Sequence, residues 1–313
     1  MGDWKTELTG RVLVLVAHAD DECVGYGALL QKMRKAVVVI ATDGAPRDGY
    51  FWGRFGSREK YAAVRRDEAR RAMRLAGVRE LVLLAEEDSR LEDQRLFLNL
   101  AAAYSRLEKL VERVRPEAIA TLAYEGGHPD HDSCSVLGAR LGEQFGVKVW
   151  EAPLYSRGVT PRHDTASGDL ADRQRETQPQ EQGQLPHIRQ QRADVGHPTA
   201  DMEHPRQDQP PQEKTADVER PMLVQRFICE TGDEALVEIG EGELGRKRAM
   251  CAQYASQGDF LRTFNARREV VRPQVRYEYG MAPHPGRTNY EQWQWWMSAR
   301  DVSAKFVEFL VGS

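Results

Sequence analysis

Short apolar runs alternate with longer amphipathic stretches over the first 155 residues, and this alternation limits the fold more than any other feature of the chain. The run at 11–17 (RVLVLVA) is dominated by valine and leucine, which is typical of a strand buried on both faces. Further strands are predicted at 36–42, 80–84, 117–123 and 147–151, and helices at 22–34, 59–76, 95–114 and 132–145. The pattern predicts an α/β, Rossmann-like three-layer fold with a mostly parallel sheet and right-handed crossovers.

The composition changes abruptly after residue 160. Residues 163–219 contain ten Gln, no Phe, Trp or Tyr, and only six large aliphatic or Met side chains. A segment this poor in apolar residues cannot offset the entropy of ordering itself. We therefore predict a catalytic α/β core at 1–160, a long, poorly ordered low-complexity insertion at 161–220, and a segment at 221–313 that completes the same domain. In this last segment, strands are predicted at 222–229 and 270–279, and helices at 242–256 and 292–310.

Charge and apolar composition exclude several classes of protein. The formal net charge of −4 gives no basic face for a phosphate backbone, so nucleic acid is not an expected partner. No run of about 18 apolar residues is present, which argues against an integral membrane segment. The N-terminus is too polar for a secretory signal peptide, and the four scattered cysteines lack Cys-x-x-Cys spacing. We expect a cytoplasmic protein with reduced thiols.

A cluster of polar side chains follows the first predicted strand directly, in the sequence His18-Ala19-Asp20-Asp21-Glu22. Ligands of open parallel sheets bind beyond the carboxyl ends of the strands. One imidazole and several carboxylates can hold a divalent metal there and leave one carboxylate free as a base. A helix N-terminus capped by acidic residues would explain the three carboxylates, but it would not explain His18.

A second polar cluster follows the fourth predicted strand, in the sequence YEGGHPDHD at 124–132. His128 and His131 lie three residues apart at the opening turn of a helix, so both can face the same point. Because this cluster and the first one follow strands of one predicted sheet, we expect them to meet. Two histidines, a carboxylate and an open position are typical of a catalytic metal site, and they suit zinc or non-haem iron.

The two clusters resemble the signatures of a known enzyme family. The first is similar to the Ala-His-Pro-Asp-Asp-Glu signature of the LmbE-like (PIG-L) N-acetylglucosaminyl deacetylases, and the second to the His-Pro-Asp-His signature of the same family. Shorter similarities lie at 42–44 (TDG) and 66–68 (RDE). The resemblance covers residues 11 to about 155 and, more loosely, 247–290.

The resemblance implies a metal-dependent N-deacetylase in which His18, Asp21 and His131 bind zinc. It further implies that Asp20 is the general base for the hydrolytic water. His128 would steady the oxyanion or protonate the departing amine.

The implied substrate is a small N-acylated amino sugar or its glycoside, from which the enzyme removes an acetyl or similar group. Which sugar this is stays open, as does the oligomeric state, and a homo-oligomer is compatible with the sequence. Ala19 stands where the family has proline, which loosens the loop but removes no ligand.

Two C-terminal features are further candidates for the site. His284 lies between two prolines, in a segment that the resembling family often places near the active-site mouth, so it is either catalytic or part of a rigid surface turn. Trp293, Trp295 and Trp296 could stack on sugar rings, although tryptophans spaced in this way more often divide between the core and a partner surface.

Two alternative functions belong to other classes. A nucleotide-binding Rossmann-like protein would use the glycines at 25 and 27, but the third glycine of that fingerprint is missing, and the acidic residues at 20–22 would repel a pyrophosphate. A non-catalytic metal-binding protein would need the ligands alone, yet Asp20 and His128 are also present.

Overall fold

A computed structural model describes residues 3–156 and 222–312. The strands are β1 (Arg11–Val16), β2 (Lys35–Ile40), β3 (Glu80–Leu83), β4 (Ala118–Leu122), β5 (Lys148–Ala152), β6 (Tyr155–Ser156), β7 (Leu223–Val224), β8 (Ala235–Leu236) and β9 (Val270–Pro273). The helices are α1 (Trp4–Glu7), α2 (Asp21–Tyr26), α3 (Gly49–Trp52), α4 (Arg58–Ala76), α5 (Leu84–Glu87), α6 (Leu100–Val114), α7 (Pro129–Phe145), α8 (Glu241–Cys251), α9 (Gly258–Leu261), α10 (Asn289–Gln292) and α11 (Ala299–Gly312).

The central sheet has seven strands in the order β3-β2-β1-β4-β5-β9-β8. The first five are mutually parallel, whereas β9 pairs antiparallel with β5, and β8 pairs antiparallel with β9. Residues 12–16 of β1 are fully buried, as expected for a central strand covered by helices on both faces. The predicted Rossmann-like fold with a mostly parallel sheet is confirmed.

Several predicted elements are shorter in the structure. The helix predicted at 22–34 ends at Tyr26. The next residue, Gly27, packs against α8, where a Cβ on it would lie 2.9 Å from Lys247 Cγ. The strand predicted at 270–279 ends at Pro273, since proline has no N–H to continue the ladder. The helix predicted at 292–310 begins at Ala299, because Gln294 takes a left-handed φ of 56° and separates α10 from α11.

The strand predicted at 222–229 is reduced to the two residues of β7, which pair with β6. The predicted insertion at 161–220 lies outside the described residues, so the three-part division of the chain stays a proposal. The C-terminal segment of the chain does add β8 and β9 to the sheet that β1–β5 form. In the described ranges, every helix is too short or too polar to cross a membrane.

Candidate metal and active site

The two polar clusters meet at one edge of the sheet. β1 and β4 are adjacent and parallel, with Val12 opposite Ala118, so the loops that follow them emerge side by side. The ring centroid of His18 lies 4.4 Å from that of His128 and 5.2 Å from that of His131. The structure thus brings together the histidines of both signatures.

Two of the predicted metal ligands, His18 and His131, flank the third, Asp21. Asp21 Oδ2 lies 3.4 Å from His18 Nδ1, and Asp21 Oδ1 lies 3.3 Å from His131 Nε2. Both ring nitrogens of His131 are buried, and neither makes a well-formed hydrogen bond within residues 3–156 and 222–312. Burial lowers the pKa of His131 although Asp21 opposes this, so the ring favours the neutral form that binds metals. Among the described residues, two groups have ligand atoms within 4.8 Å of one another, His18–His128–His131 and His18–Asp93–His128–Asp130, and Asp21 is in neither. A divalent metal beside these histidines would satisfy groups that are otherwise costly to bury, and the role of Asp21 as a ligand stays a prediction.

The other nitrogen of His18 faces carboxylates. His18 Nε2 lies 3.2 Å from Asp130 Oδ2 and 3.4 Å from Asp93 Oδ1. A proton on Nε2 would be shared with these oxygens. Nδ1 faces Asp21, and there it would carry either a second proton or a metal. Metal-binding histidines are usually oriented by a carboxylate in this way. Burial alone would lower the pKa of His18, but Asp93, Asp130 and Asp21 together raise it well above its usual value.

His128 caps the N-terminus of α7, which determines where its proton lies. Its Nδ1 accepts a hydrogen bond of 3.1 Å from the backbone N–H of Asp130, so the neutral ring carries its proton on Nε2. That atom lies 3.4 Å from Asp93 Oδ1. His128 therefore presents an N–H donor within the site.

Asp93 is the site residue that the sequence did not reveal. Burial disfavours its charge, but His18 and His128 outweigh this and hold its pKa well below the usual range. It lies in the loop between α5 and α6, outside either signature. The loop is fixed to α7 because Asp130 accepts hydrogen bonds from the backbone N–H groups of Gln94 and Leu96. The sequence offered only a weak signal for Asp93, namely a carboxylate in a loop that follows a strand of the same sheet.

Asp20 is buried beside the ligand loop and pairs with Arg65. Its Oδ1 lies 3.4 Å from Arg65 Nη2, which also donates to the carbonyl of Ala19 over 2.7 Å. Burial raises the pKa of Asp20 well above its usual value, against the opposing effect of Arg65. The backbone of Asp20 has a φ of 130°, a conformation that is strained for a side-chain-bearing residue. Arg65 itself is buried, with only 5% of its surface exposed.

Glu22, the third acidic residue of the first signature, holds this strained loop in place. Its Oε2 accepts a hydrogen bond of 3.0 Å from the backbone N–H of Asp20. Its Oε1 accepts hydrogen bonds from the Tyr254 hydroxyl and, over 3.1 Å, from the Cys23 thiol. Glu22 is fully buried. Its contacts link the ligand loop to the segment that follows α8.

His284 lies against the glycine turn that precedes His128. A side chain at Gly126 would place its Cβ 3.2 Å from His284 Nε2 and 3.0 Å from Pro283 Cγ. His284 is buried, which contradicts a surface turn. Its Nδ1 lies 3.1 Å from the carbonyl oxygen of Pro285. These contacts place His284 against the turn at Gly126, and its catalytic role stays a prediction.

Comparison with known proteins supports the relationship that the signatures indicated. Residues 13–141 match the PIG-L family, described as GlcNAc-PI de-N-acetylase. A protein from Bacillus subtilis named probable N-acetyl-alpha-D-glucosaminyl L-malate deacetylase 2 is 29% identical over 130 residues, which is 39% of this chain and 56% of that protein. A protein of the same name from Bacillus cereus is 28% identical over 127 residues, with the same coverage. The chain thus spans about half the length of these curated relatives.

Solved structures share the fold at low sequence identity. A triple mutant of a deacetylase involved in the teicoplanin biosynthetic pathway superimposes with a TM-score of 0.52 and 15% identity, covering 86% of this chain and 99% of the other. A pseudoaglycone deacetylase of an antimicrobial reagent gives a TM-score of 0.50 and 17% identity, covering 85% and 98%. The match over residues 13–141 confirms the predicted resemblance to the PIG-L (LmbE-like) family.

Proposed function

We propose that this protein is a zinc-dependent hydrolase that removes an N-acetyl or similar N-acyl group from an amino sugar or its glycoside. The observation that carries the proposal is the Asp21 carboxylate, which lies between His18 Nδ1 and His131 Nε2 with Asp20 and His128 beside it. The PIG-L match and the deacetylase names of the two relatives support the reaction class.

His18, Asp21 and His131 would hold the metal. A divalent cation bound there would supply a Lewis acid, which polarises an amide carbonyl and lowers the pKa of water to about 7. The donor set of two nitrogens and a carboxylate suits zinc and leaves one position open. Asp130 and Asp93 would keep the His18 ring oriented, through Nε2.

Asp20 would act as the general base. Its raised pKa brings the carboxylate closer to the neutral range in which a base works best, and the Arg65 guanidinium keeps its ionised form accessible. It would accept a proton from the attacking water. The protonated carboxyl would then return this proton to the departing amine nitrogen.

His128 would act as a hydrogen-bond donor to the oxyanion. Its Nδ1 already accepts the backbone N–H of Asp130, so the ring can donate only through Nε2. The sequence left open whether this histidine protonates the amine or steadies the oxyanion. The hydrogen-bonded Nδ1 favours the second role, since a neutral ring that gave up its Nε2 proton would become an anion.

The two alternative classes receive less support. Asp20, Asp21 and Glu22 are all buried in the turn where a nucleotide-binding protein would place a pyrophosphate. A purely metal-binding protein would not need the buried Asp20–Arg65 pair. Action on a small molecule in the cytoplasm, without nucleic acid, stays a prediction.

The test is amine release from a panel of N-acetylated amino sugars and their glycosides by purified protein. We expect activity that a chelator removes and added zinc restores, and that His131→Ala abolishes. His187→Ala, in the predicted insertion, is the matched control and should keep the wild-type rate. Chelator-resistant amine release, or none with any sugar of the panel, would contradict the proposal.

A further inference from the structure

Aromatic rings cover both histidines of the second signature. The ring centroid of Trp295 lies 5.0 Å from that of His128, and the centroid of Tyr155 lies 5.3 Å from that of His131. Trp293 joins the two, at 5.3 Å from Trp295 and 6.3 Å from Tyr155. A continuous aromatic surface therefore borders a site that is otherwise lined by charged groups.

The backbone fixes the two tryptophans at this position. The N–H of Asn289, the first residue of α10, donates to the carbonyl of Gly126 over 2.9 Å, which ties α10 to the turn before His128. The helix ends with the left-handed Gln294, and the N–H of Trp295 then donates back to the carbonyl of Tyr290 over 2.9 Å. This hydrogen bond across five residues is characteristic of a Schellman motif, in which the chain turns sharply after the helix.

Trp293 and Trp295 are half-buried, so neither residue is enclosed in the core. Neither indole N–H has a hydrogen-bond partner within the described ranges. Trp296 differs from both: it is 53% exposed, stacks on Phe97 with centroids 5.5 Å apart, and is covered by the guanidinium of Arg95. Accessible apolar rings that carry spare N–H donors suit a ligand with an apolar face and a hydroxylated rim.

We propose that Trp293 and Trp295 form a carbohydrate-binding wall. The wall would stack on the apolar face of the pyranose ring while the N-acyl group points towards His128 and His131. This inference rests on the proposed deacetylase function and adds the determinant that selects N-acylated sugars over other N-acyl compounds. The charged groups of the site contact the reacting amide, whereas the tryptophans contact the ring that carries it.

The test compares Trp293→Ala, Trp295→Ala and the double variant with Trp296→Ala, the matched control from the same segment. We expect KM for the methyl glycoside of N-acetylglucosamine to rise about five- to tenfold in each single variant, the range expected for loss of an aromatic contact. The kcat and the zinc content should stay close to those of the wild type. Trp295→Phe should recover part of the loss, and Trp296→Ala should leave KM within about twofold.

A binding measurement separates this inference from the proposed function. Calorimetric titration with the methyl glycoside of glucosamine should show binding to the wild type and at least about fivefold weaker binding to the double variant. Sugar binding without any amine release would overturn the proposed function and leave the wall in place. Unchanged KM and unchanged sugar affinity in the double variant would overturn the wall alone. A wild type that neither binds the sugar nor releases amine would overturn both.

Discussion

The Nε2 atom of His18 lies 3.2 Å from the Oδ2 atom of Asp130, although the two residues are 112 positions apart in the chain. Each belongs to a different signature, so this contact joins the loop after β1 to the first turn of α7. The carboxylate between the two histidines of the second signature is thus in contact with the first signature. Asp130 orients a predicted metal ligand from the other loop and anchors the backbone at residues 94 and 96.

The first prediction follows from this contact. Asp130→Asn should weaken zinc binding by about 10- to 100-fold, the usual cost of removing the carboxylate that orients a ligating histidine. The measurement is zinc affinity by competition with a chromophoric chelator. Asp67→Asn, on the exposed face of α4, is the control and should leave the affinity unchanged. Wild-type affinity in Asp130→Asn would show that this contact does not support the site.

The second prediction separates the neighbours Asp20 and Asp21. Asp20→Asn should retain zinc, because the ligands are His18, Asp21 and His131. It should lower kcat about 10²–10⁴-fold, the usual contribution of a positioned general base. Steady-state kinetics on an N-acetylated sugar, with metal analysis of the same sample, measures both effects. Wild-type turnover in zinc-loaded Asp20→Asn would exclude the proposed base.

The third prediction concerns stability against pH at Glu234, far from the metal ligands in sequence. Burial opposes its ionisation, but the hydrogen bonds from Thr231 and Arg272 outweigh this and lower its pKa to about 2, from 4.5. A depressed folded-state pKa stabilises the protein above pH 4.5, and this stabilisation is lost as the pH falls from 4.5 towards 2. The wild type should therefore exceed Glu234→Gln by about 1–3 kcal/mol in free energy of unfolding at pH 7, and by less at pH 3.5.

Denaturant unfolding at both pH values measures this difference. The exposed neighbour Glu230 provides the control, since Glu230→Gln should change the free energy of unfolding by less than about 0.5 kcal/mol. An equal difference between wild type and Glu234→Gln at pH 7 and pH 3.5 would contradict the prediction.

The fourth prediction tests the close packing of the glycine turn before His128. A Cβ at Gly127 would lie 1.9 Å from the carbonyl oxygen of Tyr155, which is backbone and cannot move aside cheaply. Gly127→Ala should therefore destabilise the protein by at least about 2 kcal/mol and lower activity, since the turn carries His128. Gly245→Ala in α8 is the control: nothing lies within 4 Å of its Cβ position, and alanine favours the helix by about 1 kcal/mol. Thermal unfolding measures both effects. Equal Tm values for Gly127→Ala and Gly245→Ala would contradict this account.

The sequence predicted the strands β1–β5 because each is a short apolar run bounded by polar residues, a pattern local to its own segment. The meeting of His18, His128 and His131 was predictable for a related reason, since parallel strands of one sheet end at a common edge. Element ends were less predictable. The break between α10 and α11 depends on the left-handed backbone of Gln294, a residue type that carries little turn signal.

Asp93 and the aromatic rings show what local patterns cannot reveal. Asp93 lies near His18 and His128 because the loop that carries Asp93 is hydrogen-bonded to Asp130 in α7. The hydrogen-bonded residues, Gln94 and Asp130, are more than thirty positions apart. Trp295 lies beside His128 in the segment after α10, a helix that is hydrogen-bonded to Gly126. Such tertiary contacts leave no periodicity or spacing in the sequence.

The most direct test of the central claim is the zinc content of the purified protein and of His18→Ala, Asp21→Ala and His131→Ala. Each variant removes one donor of the predicted set, in which His18 and His131 flank the Asp21 carboxylate. Inductively coupled plasma mass spectrometry should find about one zinc per chain in the wild type, as one such site requires, and a small fraction of this in each variant. Full zinc occupancy in all three variants, or a wild type that binds no zinc when the metal is supplied, would contradict the account.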